Sequence, residues 1–272
     1  MADLRAATSS ASTSQLPATQ ALRLSPAALG YLSVRAGMGR DGGGPEGAAA
    51  AGACGVLLPD GRLDPERAEI ALTVLRPARV VTAAQSGRHG LQVRIQFRLG
   101  RLPVLVEAED GGVLRCESWP EVDVAGFLAA MLGLTAAPAG TDPVGRWSGR
   151  LPALAVAAMR AVEPAARDAA SQVAALARAY AAPADLVAAL ADPVTTTALR
   201  VAAPGHTVDL AWTDGGPHGL WVTSPMFVAD GEDPDSFAVR RSTPEALSAH
   251  LAALVATGME LDAPKVRNSF AG

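Results

Sequence analysis

Histidine is the side chain best suited to proton transfer or metal ligation near neutral pH, and this chain has four, His89, His206, His218 and His250. None stands in an HxxxH or HxxE spacing, and Cys54 and Cys116 lack a CxxC spacing, so no zinc site is recognisable. His89, His206 and His218 fall in or beside expected turns and His250 on the last helix, so all four read as ordinary surface or half-buried side chains. Gly37–Gly44 is glycine-rich, but no strand leads into it and no Lys-Ser/Thr follows, so it reads as a flexible break rather than a phosphate cradle. The acidic loop with Asp230, Glu232, Asp233 and Asp235 lacks the alternating ligands and closing Glu of a calcium loop and reads as a solvated turn. There is no GxSxG, and no Ser or Cys nucleophile stands out beside a His and an acid. Glu107 and Glu109 share a strand parity, as carboxylates on a sheet face commonly do without catalysis. Trp212 and Trp221 lie in strands and are expected buried, whereas Trp147, in a linker, is expected to be an exposed contact. The expectation is a non-enzyme, with no catalytic, cofactor-binding or metal-binding residue and no cofactor.

A net charge of −4 without a long basic stripe argues against a nucleic-acid partner, which needs clustered cations. A chain of 272 residues buries a large core without staples, so the two cysteines are expected reduced and buried. Residues 1–23 lack an apolar signal-peptide core and read as a disordered tail. The stretches 47–58 and 124–141 are too short or too broken by Gly and Pro to span a membrane. A soluble, cytoplasmic protein is expected.

The elements that must position any site follow from periodicity. Helices are expected from Pro26 to about Ala36, over Glu46–Leu58 and from Pro65 to about Arg76, with Ile70, Leu72, Val74 and Leu75 supplying apolar residues to the third. Four strand-like runs follow, Ala78–Gln85, Leu91–Leu99, Leu102–Ala108 and Val113–Ser118, then a helix over Asp123–Leu134. In the second run Leu91, Val93, Ile95, Phe97 and Leu99 alternate with Gln92, Arg94, Gln96 and Arg98, giving one buried and one wet, cationic face. Short turns imply hairpins and an antiparallel sheet. After a Pro/Gly-rich linker, helices are expected over Leu151–Val162, Pro164–Ala181 and Pro183–Ala191. Strands over Thr195–Ala203, Thr207–Thr213, Gly219–Thr223 and Phe237–Arg241 and a closing helix from Thr243 to Val255 complete the series. The order helix, four strands, helix thus occurs twice. The fold expected is α+β, an antiparallel sheet built from two similar four-stranded halves in pseudo-two-fold relation, flanked by helical bundles. Its boundaries are a tail 1–23, an N-terminal half 24–136, a linker 137–150, a C-terminal half 151–258 and a tail 259–272.

Gly52-Ala53-Cys54-Gly55-Val56-Leu57-Leu58, then Asp60-Gly61-Arg62-Leu63-Asp64-Pro65-Glu66 and Leu72-Thr73-Val74-Leu75-Arg76-Pro77, resemble the N-terminal part of EspG-type chaperones of actinobacterial type VII (ESX) secretion. Asp209–Thr213, Gly219-Leu220-Trp221-Val222 and Arg241–Ala256 resemble that family's closing strands and final helix in outline. The Arg-rich, Lys-poor usage, with Lys265 the sole lysine, suggests a GC-rich genome, as of an actinobacterium. The resemblance implies a cytosolic chaperone that binds a helical secretion substrate of the PE–PPE kind, covers its apolar tip and delivers it for export.

The partner surface expected is the wet strand face, Gln92, Arg94, Gln96 and Arg98, with Arg101 in the next turn and Trp147 in the linker. Two other classes stand beside this reading. An enzyme would set His206 or His218 in a cleft beside Asp209 or Asp214, and a regulatory domain would hold a small molecule in an apolar pocket.

Overall fold

A computed structural model describes residues 21–38, 44–87, 90–120, 122–134, 148–225 and 236–260. The first described elements are β1 (Ala21–Leu24), α1 (Pro26–Arg35), α2 (Pro45–Ala53) and α3 (Pro65–Leu75). Next come β2 (Arg79–Gly87), β3 (Gly90–Leu99), β4 (Pro103–Ala108), β5 (Leu114–Ser118) and α4 (Val124–Met131). Then follow β6 (Ser148–Pro152), α5 (Ala153–Arg160), α6 (Ala169–Ala179) and α7 (Ala184–Ala191). Last are β7 (Thr195–Ala203), β8 (His206–Asp214), β9 (Leu220–Pro225), β10 (Ser236–Ser242) and α8 (Pro244–Glu260).

Single helical turns aside, among the described residues one order is used twice: a strand, three helices, four strands and a helix. The repeat is therefore longer than the sequence alone reveals. β1 and β6 extend it, and they fall where a tail to residue 23 and a linker to residue 150 are expected. Strand partners repeat as well, because the leading strand pairs with the last of its quartet, β1 with β5 and β6 with β10. The fold class is α+β with antiparallel strands.

The chain forms two compact units, residues 1–77 with 100–121 and residues 78–99 with 122–272. β2 and β3 thus go with the C-terminal elements, a different division from halves bounded at 24, 136, 151 and 258. In the first unit the strand order is β1-β5-β4. Ser25 Oγ accepts from the Ala28 amide (3.2 Å) to start α1, and Asp64 Oδ1 accepts from the Arg67 amide (2.9 Å) to start α3. Proline at the first turn of each fixes the entry φ. Leu24, Val56, Ile70, Val74, Val104 and Cys116 form the core between helices and strands. The second helix stops at Ala53 rather than Leu58: the chain turns at Gly55 and Leu57 bridges to Leu63. Of the apolar residues of α3, Ile70 and Val74 are buried and Leu72 is 42% exposed.

The second unit holds a large antiparallel sheet in the order β3-β2-β7-β8-β9-β10-β6. One face carries Ile95, Phe97, Val81, Ala83, Leu199, Val201, Leu210 and Trp212, all buried. α4 and α8 pack together beside it. Phe127 of α4 meets Phe97 edge-on, with ring centroids 5.6 Å apart. Gln85 Nε2, buried in this layer, donates to Thr197 Oγ1 (3.1 Å) and to the Leu132 carbonyl (3.2 Å), while Ser248 Oγ of α8 donates to the Leu134 carbonyl (3.0 Å). The carbonyls at the C-terminal end of α4, which no helical turn can satisfy, are thereby bonded to strand and helix.

Candidate functional site

Residues directly opposite in an antiparallel ladder point to the same side of the sheet. In the second unit one row reads Arg94, Ala84, Ala198, Ala211 across β3, β2, β7 and β8, and the next reads Gln96, Thr82, Arg200, Asp209. None of these eight residues is buried; Arg94, Ala198 and Arg200 are exposed. Further along, the same face is closed. Trp221, Thr223 and Val239 on β9 and β10 are buried, with Trp221 and Val239 packed among Met159 of α5 and Leu186 and Leu190 of α7. The result is an open patch with a low floor of methyl groups, edged by arginines.

The charges on the patch are arranged unequally. Arg200 binds its cross-strand neighbour Asp209 through both carboxylate oxygens, Nε to Oδ1 at 2.7 Å and Nη2 to Oδ2 at 3.0 Å. The Asp209 hydrogen bond first, and its charge second, raise the Arg200 pKa above its ordinary value. Arg94 has no ion-pair or hydrogen-bond partner among the described residues. Arg98, half-buried, completes a third row with Val80, Ala202 and Thr207.

The expected wet face of β3 is therefore present for Arg94, Gln96 and Arg98, and it forms the border of this patch. Gln92 is exposed as well, but Leu91 requires correction. A β-bulge shifts the register, so that Val93 opposes Gln85 and Leu91 opposes Ser86, leaving Gln92 without a cross-strand partner. Its amide lies against Gly87, where a β-carbon would stand 2.1 Å from Nε2. The slip of one residue moves Leu91 off the buried face to which strict alternation assigns it, and it is 62% exposed on the open side. Arg101 belongs to the first unit, 87% exposed with Nη1 3.9 Å from Glu69 Oε2. Trp147, His89 and the acidic residues 230–235 lie outside the described residues, as does most of the glycine run 37–44.

Ala84, Ala198, Ala211 and Arg200 are functional candidates that sequence reasoning misses. Their signal is the alternation of β7, where Thr197, Leu199 and Val201 are buried and Ala198 and Arg200 exposed. Alanine carries no chemistry by itself, so its role emerges only from the ladder.

The groups weighed for catalysis are held otherwise. His218 Nδ1 stands 3.4 Å from Asp185 Oδ1, with both side chains about half exposed, and not beside Asp209 or Asp214. Asp214 Oδ1 accepts from the Gly216 amide (2.8 Å), and His206 is exposed at the β7–β8 turn. Glu107 pairs with Arg115 (3.1 Å) and Glu109 with Arg23 (Nε to Oε2, 2.9 Å). Trp212 and Trp221 are 1% exposed, as their strand positions require. Cys116 is fully buried, but Cys54 is only half so, and both are free thiols. Among the described residues no cluster of three His, Cys, Asp or Glu could hold a metal ion, and no helix is long and apolar enough to cross a membrane.

No protein-family model and no curated protein matches this sequence. Among solved structures the chain is similar to the Mycobacterium tuberculosis type VII secretion system chaperone EspG5 in complex with a PE25–PPE41 dimer. The likeness has a TM-score of 0.50 at 16% identity and covers 87% of this chain and 96% of the other. The chain has that chaperone's fold.

Proposed function

We propose that this chain is a cytosolic chaperone of type VII secretion that receives a helical, PE–PPE-like substrate protein on the open face of the β3-β2-β7-β8 strands. The observation that carries the reading is the uncovered row Arg94, Ala84, Ala198, Ala211, on a fold similar to that of a chaperone bound to a PE–PPE dimer. A helix end approaches a sheet closely only where the strands present short side chains, and three alanines in register provide that floor. Leu91 offers an exposed apolar contact at one border and Arg94 an unpaired cation that an acidic group on the partner would satisfy. Such binding needs no reactive group. It needs area, a few anchors and exclusion of water.

The test is co-expression of the tagged chain with a PE–PPE-like pair from the same genome. The wild-type chain captures the pair and keeps it in the supernatant. Ala198→Arg, which raises the floor, and Arg94→Glu, which reverses the border charge, each reduce capture about tenfold or more, or roughly 1.4 kcal/mol, with an unchanged circular dichroism spectrum. Undiminished capture by both variants removes this face from the reading. Failure of the wild-type chain to hold any such pair removes the chaperone function itself.

A further inference from the structure

A separate feature lies in the first unit, where a cleft of about 540 Å³ opens beside β1. Ala50 and Ala53 of α2 line one side, with Leu22 and Val113 also on its walls. The sequence of α2 is PEGAAAAGA, so beyond its first turn no side chain is larger than a methyl group. The helix in the corresponding place of the second repeat, α6, carries Val173 and Leu176, packed against the core of its own unit. The cleft is the volume that an all-Ala/Gly helix leaves unfilled.

One cation borders this space without a counter-ion. Arg67 on α3 is half-buried, and its Nη1 donates to the Cys54 carbonyl at 3.2 Å. It has no carboxylate partner among the described residues. By contrast Arg23, on the same wall, is held by Glu109. The Arg67 guanidinium occupies the place where a β-carbon on residue 55 would come within 1.7 Å of Nη1, and Gly55, at φ +74°, supplies both the turn and the vacancy. A guanidinium has five N–H donors in a planar fork. With one of them used, a partly desolvated charge remains beside apolar walls, an arrangement that an anion stabilises.

We propose that this cleft binds a small amphipathic carboxylate, its carboxylate on Arg67 and a hydrocarbon body of roughly ten carbon atoms along Leu22, Ala50, Ala53 and Val113. The site is independent of the substrate face in the second unit.

Cys54 serves as the reporter. Cys54 lines the cleft and is only half-buried, whereas Cys116 is fully buried, so iodoacetamide labelling of the native chain reads Cys54. Decanoate at about ten times its dissociation constant slows labelling about tenfold, in proportion to the unoccupied fraction. Arg67→Met abolishes that protection. Ala50→Leu, which keeps the cation and fills the space, abolishes it too. Decanol, with the same chain and no charge, protects at least about tenfold more weakly at equal concentration. An unchanged labelling rate with decanoate below its micellar concentration overturns the proposal, as does equal protection by decanol or full protection retained in both variants.

Discussion

His250 sits half-buried on α8 near Arg240 of β10. Loss of hydration, and secondarily the Arg240 charge, lowers its pKa below the ordinary 6.5. The unfolded chain therefore takes up this proton more readily than the native one. Its contribution is fully present above about pH 6.5 and is lost as pH falls through the lowered native value. Thermal melts between pH 7 and pH 5 should show a falling Tm, with a shallower slope in His250→Gln, which carries no titrating group. Equal slopes would mean that the imidazole is as well solvated in the native protein as in the unfolded chain. The same separation of charged from quiet residues holds elsewhere. Arg200 is locked to Asp209 and reads as part of the sheet's own structure, while Arg94 and Arg67 keep donors for something else.

Between elements, the decisive joint is Gln85. It is 7% exposed, stands opposite Thr197 in the ladder, and binds both that hydroxyl and the Leu132 carbonyl, tying β2, β7 and the end of α4 together. Gln85→Ala strands two buried polar groups and should cost about 1–3 kcal/mol, read as a lower urea midpoint at unchanged m-value. A midpoint equal to wild type would show that solvent reaches this layer. Most of the helices and eight of the strands are visible in the sequence, because Ser25-Pro26, Asp64-Pro65 and the alternation of β3 state their structure locally. β1 and β6 are not, since ALRL and SGRLP are too short to show a period and exist through their pairing with β5 and β10. The bulge at Gln92 is likewise invisible in a run that alternates without fault from Leu91 to Leu99, and it is what turns Leu91 outward. Of the site, the cationic border could be read and the alanine floor could not, because a floor is a property of four strands in register.

For the molecule as a whole, an uncovered sheet face poses a problem whenever no partner is bound. A flat surface of methyl groups with an exposed Leu91 is the kind of patch on which a second copy could settle. Arg94 and Arg200 lie on the two rows of this patch, so two copies meeting face to face would bring like charges together at low dielectric. Asp209 offsets Arg200 within each copy but leaves Arg94 uncompensated. The same cation that, under the proposed function, would meet an acidic group on a partner therefore discourages association between free copies of this chain. Replacing Arg94 and Arg200 together by Leu should convert the isolated chain from its wild-type sedimentation behaviour to concentration-dependent assembly. Ala198→Arg added to that variant should reverse the change by raising a charged barrier in the middle of the floor. Sedimentation velocity over a tenfold concentration range distinguishes the outcomes. A double variant that sediments as the wild type does would show that the face is kept apart by something other than its arginines.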